Sequence, residues 1–360
     1  MSNNNQRTQG EILLEIAEEF KFFRDEMGEA CAKVQIEDHW EVMMVAKDRF
    51  RELLMYRFYQ ETGKAPQKDI LSQVIGVLKA RAKFSGTSKK LFKRVGILKG
   101  DFYYDLVNKE HSVVKISSDG CEVIENAPTL FQRTSNMSPQ VYPTFDVENH
   151  NVINGYFKLK KKSHMILLKV YMASCFIPEI PRPILNLAGG MGSSKSTTLR
   201  KIKKIIDPSK RDLLTMPNGI NELSQLLSNN YMACFDNLDS LSPEKSDHLC
   251  RASTGGSFSK RKLFSDDEDI IFDIKRPVAL NGINIVATRP DLLDRSIILQ
   301  LERIPKEERK DEATLWHEFD EDLPVIVGSL MDAVACAKKM LPEINLDKLP
   351  RMADFGVLQF

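Results

Sequence analysis

The stretch from Pro183 to Thr198 constrains the fold of this chain more than any other. Its apolar run, Ile184 to Ala188, is followed by a loop rich in glycine and serine and then by a helix-forming segment rich in Leu, Ile, Lys and Arg. A strand, a glycine-rich loop and a helix in this order are the context of a phosphate-binding loop. Glycines let the backbone approach a phosphate chain, and the helix N-terminus adds partial positive charge. The stretch therefore predicts a nucleotide site at the end of a strand.

The residue types in this loop assign a role to each candidate. The usual pattern, G-x-x-x-x-G-K-[ST], is met by Gly189 at its start and by Lys195 and Ser196 at its end. We expect Lys195 to reach the β- and γ-phosphates of ATP, and the Ser196 hydroxyl to bind Mg²⁺. Ser194 replaces the last glycine, which is unfavourable if φ is positive there. The alternative is a Gly/Ser loop without a ligand. The predicted cofactor-binding residues are Gly189, Gly190, Gly192, Ser193, Ser194, Lys195, Ser196 and Thr197.

A second motif ends in a carboxylate. The apolar run of residues 231–235 is followed by Asp236 and Asn237. A carboxylate at the end of such a strand holds Mg²⁺ directly or through water, so the predicted metal ligands are Ser196 and Asp236. The next position usually carries a Glu that activates water, but Asn237 cannot accept a proton at neutral pH, and Asp239 is the nearest other carboxylate. The alternative role for Asp236 is a helix N-cap.

The predicted catalytic residues are Asp236, Asn237, Asn281, Arg289 and Arg295. Asn281 ends a predicted strand and can hydrogen-bond the γ-phosphate or position water. Alternatively, it is only the first residue of an Asn-Gly turn. An arginine at a subunit edge can reach the γ-phosphate of a neighbour and stabilise charge in the transition state. Arg295 is the better candidate of the two arginines because it leads directly into the last strand. The alternative for each is a surface salt bridge.

Strands and helices alternate after the phosphate loop. The pattern predicts strands at 212–216, 231–235, 276–280 and 296–301, with helices between them and a mostly helical segment over 306–340. Such alternation predicts an α/β fold with a parallel sheet, helices on both faces, and ligands at the carboxyl ends of the strands. In the first half, helices are predicted at 11–20, 48–60 and 67–84, a strand pair within 22–45, and short strands within 89–131.

A stretch rich in Pro, Ser, Asn and Thr, residues 133–148, predicts a domain boundary. The predicted organisation is an α+β domain of residues 1–145, a P-loop domain of residues 146–342 and a tail of residues 343–360. The two helices and the hairpins of the first domain resemble a winged-helix plan in outline.

Two local basic segments are candidates for DNA contact. Lys260, Arg261 and Lys262 follow a Gly-Gly turn and precede an acidic run and a strand-like segment, which predicts a hairpin with a basic arm. The alternative is a charge-balanced surface loop. Lysines and arginines also cluster between residues 79 and 99. This cluster is either a surface for the phosphate backbone or, as is commoner, a solvated surface.

Overall composition argues against a highly basic protein, a disulfide-stabilised protein and a membrane protein. The formal net charge of the 360 residues is +1, so attraction to nucleic acid must come from local segments. The six cysteines form no C-x-x-C pair and predict free thiols in a reducing compartment. The first ten residues are polar, and the longest apolar run, 165–177, is interrupted by Lys169. We therefore expect a cytoplasmic protein that does not enter a membrane.

The order of these motifs resembles the AAA+ core of superfamily 3 helicases, and most of all the primase–helicase-type ATP-binding proteins of phages and mobile elements. The resemblance extends over residues 145–341. Besides the phosphate loop, it rests on Phe-Asp-Asn-Leu at 235–238, Arg-Pro-Val-Ala-Leu-Asn-Gly-Ile at 276–283 and Ala-Thr-Arg-Pro-Asp-Leu-Leu-Asp-Arg at 287–295. It implies a homo-oligomer, commonly a hexameric ring, that uses ATP and Mg²⁺ to move along DNA during replication.

The resemblance also implies a role for each matching residue. Lys195 and Ser196 would bind phosphate and Mg²⁺, and Asp236 would hold the metal. Asn281 would be the sensor, Arg295 the finger that acts on a neighbouring subunit, and residues 260–262 the hairpin that touches DNA. Ser194 and Asn237 depart from the helicase pattern. The leading hypothesis is a DNA motor, and the alternative is an ATP-binding oligomeric switch or assembly factor with weak hydrolysis and no unwinding.

Overall fold

The computed structural model describes residues 7–146, 150–190, 192–261, 269–282, 286, 289–341 and 355, with the backbone alone for 257–261, 269–274 and 306. Contacts divide the chain into two compact units. The first contains the residues up to 92 together with 128–133, and the second contains 93–127 and the residues from 134 onward. The predicted boundary after residue 145 does not coincide with this division. The domains 1–145, 146–342 and 343–360 stay a prediction.

The first unit packs helices against a three-stranded antiparallel sheet. The helices are α1 (Gln9–Glu18), α2 (Asp48–Thr62) and α3 (Lys68–Phe84), and the strands, in sheet order, are β1 (Lys21–Arg24), β2 (Ala30–Ile36) and β3 (His39–Met44). α1 begins with a capping box between Thr8 and Glu11. The predicted helices are present. The predicted strand pair is instead three strands, because a second turn at Glu37, with φ of 51°, reverses the chain again.

In its described residues, the second unit contains two four-stranded sheets and a hairpin. One sheet is antiparallel and consists of β4 (Val95–Leu98), β5 (Asp101–Asp105), β6 (Val113–Ser117) and β7 (Gly120–Ile124). The other strands are β8 (Ile184–Ala188), β9 (Ala233–Leu238), the hairpin strands β10 (Gly256–Arg261) and β11 (Asp269–Ile274), β12 (Val278–Gly282) and β13 (Ser296–Gln300). The helices are α4 (Lys162–Ser174), α5 (Lys195–Ile206), α6 (Ile220–Asn229), α7 (Pro243–Thr254), α8 (Pro290–Leu293) and α9 (Glu312–Met340), with 3-10 helices at Val152–Tyr156 and Lys306–Glu308.

The central sheet of the second unit is parallel, in the order β13-β8-β12-β9. Side chains alternate between its two faces. Leu185 and Leu187 of β8 pack into a core with α4, α5 and α9, whereas Ile184 packs into a second core with α6, α7 and α8. A strand buried on both faces explains the continuous apolar run that precedes the phosphate loop. The predicted α/β fold with a parallel sheet and helices on both faces is confirmed.

One predicted strand of this sheet is wrong. Residues 212–216 do not form a strand, and Leu214 makes a single parallel bridge to Phe235. Its backbone N–H donates to Cys234, and its carbonyl accepts from Asp236. Pro217 follows soon after and has no N–H to continue a ladder. The pairing is therefore too short to count as a strand.

The antiparallel sheet β4–β7 shares the core of the parallel sheet, which explains why contacts assign it to the second unit. Tyr104 and Val114 lie in the same apolar cluster as Leu185. The Tyr104 hydroxyl donates a hydrogen bond to the Ile206 carbonyl at 2.9 Å. Arg94, which the sequence places in a basic surface cluster, is fully buried. That part of the surface interpretation is wrong.

α9 is crossed by an extended segment of the chain. The Pro324 carbonyl accepts a hydrogen bond from the Thr144 N–H at 3.0 Å. A Cβ on Gly328 would lie 1.8 Å from the Thr144 carbonyl oxygen, so only glycine allows this crossing. Within the described residues, neither α9 nor another helix has the length and apolar character to span a membrane. The six cysteines are free thiols.

Candidate functional site

The predicted phosphate loop connects β8 to α5 at the carboxyl end of the parallel sheet. Lys195 Nζ donates hydrogen bonds to the carbonyl oxygens of Gly189 at 2.8 Å and Gly190 at 3.1 Å. The Ser193 hydroxyl donates to the Gly190 carbonyl at 2.8 Å. A Cβ on Gly189 would lie 2.5 Å from that hydroxyl, so the tight fold of the loop requires glycine there. Thr197 lies in the first turn of α5 and is partly buried.

Ser194 adopts the backbone conformation that the pattern reserves for glycine. Its φ is 53° and its ψ is 36°, which is left-handed, and Gly192 in the same loop has φ of 80°. The left-handed conformation costs an L-residue about 1–2 kcal/mol. The loop therefore keeps the geometry of the glycine pattern at the expense of strain at Ser194.

Ser194→Gly is expected to raise the free energy of unfolding by up to about 1 kcal/mol, because relief of strain outweighs the larger entropy that glycine has in the unfolded chain. Urea unfolding of the full chain measures the change. Ser85→Gly is a matched control, because Ser85 has an ordinary φ of −105° and glycine there should not stabilise the protein. A Ser194→Gly variant that is no more stable than Ser85→Gly would contradict strain in the loop.

Ser196 and Asp236, the two predicted metal ligands, are in direct contact. The Ser196 hydroxyl donates a hydrogen bond to Asp236 Oδ1 at 2.9 Å. Ser196 belongs to the first turn of α5, and Asp236 lies on β9, two positions from β8 in the sheet. A hydroxyl oxygen and a carboxylate oxygen are ligands that Mg²⁺ prefers. The pair could therefore hold one Mg²⁺ beside the loop.

Asn281 lies on β12, between the strands that carry the loop and Asp236. Its Oδ1 accepts a hydrogen bond from the backbone N–H of Asn237 at 2.8 Å, and Asn237 has a left-handed φ of 55°. Asn281 is 1% exposed, and its Nδ2 has no hydrogen-bond partner among the described residues. An unpaired buried donor costs about 1–3 kcal/mol. The nitrogen is therefore free to donate to a phosphate oxygen or a water bound at this end of the sheet.

The two arginines of the predicted catalytic set are bonded to residues outside this cluster. Arg289 donates to the Pro243 carbonyl and to the Asp247 carboxylate, both at 2.9 Å. Arg295 is paired with Asp291 one helical turn earlier. It precedes β13, whose first residue pairs with the first residue of β8, so it lies at the amino end of the sheet. A five-residue strand separates the two ends by roughly 15 Å.

The hairpin that carries the predicted basic arm is present as a backbone. β10 and β11 pair antiparallel, with Lys260 opposite Ile270 and Arg261 opposite Asp269. Lys262 lies outside the described residues. DNA contact by Lys260, Arg261 and Lys262 stays a prediction.

Two arginines that the sequence did not single out lie beside the phosphate loop. A Cβ on Gly192 would lie 3.6 Å from Arg309 Nη2 and 3.9 Å from Arg303 Nε. Both arginines are exposed and follow β13, whose last residue pairs with Ala188 immediately before the loop. In the sequence they belong to a run of alternating charges that has the appearance of a solvated loop. The only available signal was their position after a strand that ends beside the loop.

Comparisons with known proteins support a replication protein of a mobile element. A family model described as the actinomycete integrative conjugative element replication protein matches residues 155–359, more than half of the chain. No curated protein matches the sequence.

Among solved structures, the fold is similar to the apo A form of the NrS-1 C-terminal region. The TM-score is 0.51, at 12% sequence identity, over 96% of this chain and 70% of that one. A similarity of lower TM-score, 0.45 at 14% identity, relates 90% of this chain to 60% of the active helicase Cch of SCCmec type IV. At such identities the likeness concerns the fold alone.

The matched residues 155–359 include the phosphate loop, the strand that ends in Asp236 and the strand that carries Asn281. The predicted resemblance to replication proteins of mobile elements is thereby confirmed. This chain belongs to the family of actinomycete integrative conjugative element replication proteins.

Proposed function

We propose that the protein binds ATP with Mg²⁺ and hydrolyses it to drive a helicase-like motor on DNA during replication of a mobile element. The observation that carries the proposal is the hydrogen bond between Ser196 and Asp236 beside the loop that holds Lys195. These residues come from separate parts of the sequence and offer the oxygen ligands and the cation that Mg²⁺ and a triphosphate need. The unpaired Asn281 Nδ2 supplies a donor for the same ligand. The donor set therefore fits a nucleotide with its metal.

Each of these residues has a task in the proposed reaction. Lys195 exchanges its two bonds to loop carbonyls for bonds to phosphate oxygens, and the loop N–H groups hold the phosphates in place. Ser196 and Asp236 would hold the metal ion, which would supply positive charge against the phosphates. Asn281 donates to the terminal phosphate or orients the attacking water. Arg303 and Arg309 add positive charge beside the loop at Gly192.

Arg295 cannot act on the nucleotide of its own chain in this proposal, because it lies at the opposite end of the sheet. It acts instead on the nucleotide of a neighbouring subunit, which requires a homo-oligomer such as a hexameric ring. Arg295 has to leave Asp291, one turn away, to do so. The pairing keeps the guanidinium oriented when no neighbour is present.

A second function is favoured by one observation at the same site. Asn237 stands where a catalytic Glu is usual, its amide cannot accept a proton, and its backbone N–H is already bonded to Asn281. A site without a base binds ATP but hydrolyses it slowly. The protein would then be an ATP-binding oligomeric switch or assembly factor.

ATP turnover separates the two functions. We expect the full chain with Mg²⁺ and ATP to release phosphate, and single-stranded DNA to increase the rate several-fold. Asp236→Asn, which keeps the side-chain shape but removes the charge, should lower the rate at least about a hundred-fold, because the metal contributes several kcal/mol to charge stabilisation. ATP binding without turnover, unchanged by DNA, would refute the motor and leave the switch.

A further inference from the structure

Three lysines lie close together on one face of the small sheet in the first unit. Lys21 of β1 stands directly opposite Lys33 of β2. The neighbours of Lys33 along β2, Ala32 and Val34, point the other way into the core of the unit. Lys89, in the segment after α3, lies beside β1, because its backbone N–H donates to the Arg24 carbonyl at 2.9 Å. Its charge lowers the pKa of Lys33. We call Lys21, Lys33, Lys89 and the nearby Trp40 the lysine face.

The lysine face is electrostatically unfavourable as it stands. Like charges directly opposite each other destabilise a pair of strands. Burial lowers the pKa of Lys33, and the positive charges of Lys21 and Lys89 lower it further. Among the described residues, no carboxylate forms an ion pair with any of the three lysines. Local conflicts of this kind in folded proteins tend to occur at functional positions, and here a bound anion would resolve the conflict.

Aromatic rings lie among these charges. The ammonium groups of Lys21 and Lys33 are 4.9 Å and 5.3 Å from the ring centre of Trp40, and that of Lys89 is 5.5 Å from the ring of Phe23. Lys21 and Lys89 are exposed, and Lys33 and Trp40 are partly exposed. A groove or face that combines lysines with an accessible aromatic ring is typical of surfaces that bind single-stranded nucleic acid. The lysines contact phosphates, and the ring contacts an unpaired base.

We propose that the lysine face binds single-stranded DNA, with the phosphate backbone on Lys21, Lys33 and Lys89 and a base against Trp40. This assigns DNA contact to the first unit, which contains no part of the nucleotide site. The contact requires no ATP, so its test and that of the proposed ATPase can fail independently.

The test is fluorescence anisotropy of a labelled single-stranded oligonucleotide with the full chain and no nucleotide. The variant Lys21→Gln/Lys33→Gln/Lys89→Gln should bind roughly ten- to a hundred-fold more weakly at 0.1 M salt. The slope of log K against log salt should become shallower by about 2, since each phosphate contact on a single strand contributes about 0.7. The matched control is Lys47→Gln/Lys64→Gln/Lys68→Gln, which removes the same charge from exposed positions of the same unit and should bind like wild type.

A second variant separates stacking from charge. Trp40→Leu should lower the affinity for single-stranded DNA roughly ten-fold and leave the salt slope unchanged, because stacking releases no counterions. The affinity for the duplex of the same sequence should not change. If the duplex binds as tightly as the single strand and Trp40→Leu affects neither, the assignment to single strands is overturned.

The triple variant should be about as stable as wild type, because it removes like-charge repulsion together with the contacts of the ammonium groups with Trp40 and Phe23. If it unfolds at a lower temperature, Lys21→Gln/Lys89→Gln keeps the partly buried Lys33 and should still reduce the salt slope by about 1.4. Equal DNA affinity and slope for wild type and these variants would overturn the proposal. It would also be overturned if the three lysines were needed for binding anionic phospholipid vesicles but not DNA.

Discussion

Lys195→Ala is expected to lower the rate of ATP hydrolysis by about 10²–10³-fold and to remove most of the affinity for Mg²⁺ and ATP. The ammonium lies over the loop, where it donates to the carbonyls of Gly189 and Gly190. Phosphate release and calorimetric titration of ATP measure the two effects. Lys210→Ala is the matched control, because Lys210 is exposed and lies beyond the end of α5. Equal ATP affinity for wild type and Lys195→Ala would refute the phosphate loop.

Lys195→Ala, mixed with Arg295→Ala, also tests whether Arg295 acts on the nucleotide of a neighbouring subunit. Arg295→Ala should bind ATP normally but hydrolyse it slowly, because its own loop is intact. Lys195→Ala should supply a working Arg295 to neighbouring subunits. Mixing the two inactive proteins should therefore restore part of the activity, since some interfaces then combine an intact Lys195 with an intact Arg295. A mixture that stays inactive, although gel filtration shows mixed oligomers, would rule out action between subunits.

Asp207→Asn is expected to lower the free energy of unfolding by about 3–5 kcal/mol, because it leaves two buried cations without their counter-charge. Asp207 is the C-cap residue that follows α5, and it is 2% exposed. Its carboxylate accepts hydrogen bonds from Arg94 Nε at 3.0 Å, from Lys203 Nζ at 2.6 Å and from the Met232 N–H at 3.0 Å. Urea unfolding at neutral pH measures the loss.

Asp212→Asn is the matched control. Asp212 is partly exposed and lies 3.5 Å from Arg200, so its removal should cost less than about 1 kcal/mol. If Asp207→Asn were no more destabilising than Asp212→Asn, the charges of Arg94 and Lys203 would have to be satisfied by other groups.

Asp207 also predicts how stability depends on pH. Burial alone would raise the pKa of this carboxyl, but the charges of Lys203 and Arg94 outweigh burial and lower it from 3.8 to about 2. A folded-state pKa below the unfolded value means that the ionised carboxylate stabilises the fold above about pH 4, and that this contribution is lost as the pH falls towards 2. Asp207→Asn should therefore lose less stability than wild type between about pH 5 and pH 2 in acid unfolding curves.

Structural features that are set by residues close together in the sequence could be predicted. The strand, the loop and the helix around Lys195 follow from a local pattern, because the geometry of the loop is set by glycines within it. The parallel sheet follows from the alternation of apolar runs with helical segments. The strand predicted at residues 212–216 is absent because its pairing with β9 is limited to one bridge at Leu214. An apolar run in the sequence does not show how many residues of a neighbouring strand will pair with it.

Features that join distant parts of the chain could not be predicted. Arg94 has the surroundings of a surface cation in the sequence, and only the approach of Asp207, 113 positions later, explains its burial. Arg303 and Arg309 are ordinary members of a charged run until β13 is placed beside β8. The sequence indicates that Ser194 is strained if its φ is positive, but only the backbone shows that φ is 53°.

The path of the chain restricts how this protein can be recombined. Residues 128–133 return to the first unit, where Leu130 accepts from the Phe92 N–H and Gln132 donates to the Phe92 carbonyl, both at 2.9 Å. A single genetic crossover cannot therefore exchange the first unit alone. A crossover after residue 133 also carries Arg94 and the β4–β7 sheet with its Tyr104. Both side chains bond to the C-terminal end of α5, Arg94 to Asp207 and Tyr104 to the Ile206 carbonyl. A chimera formed by recombination between mobile elements should fold only where the recipient's α5 matches these contacts. Residues up to 133 and α5 are therefore expected to be inherited together.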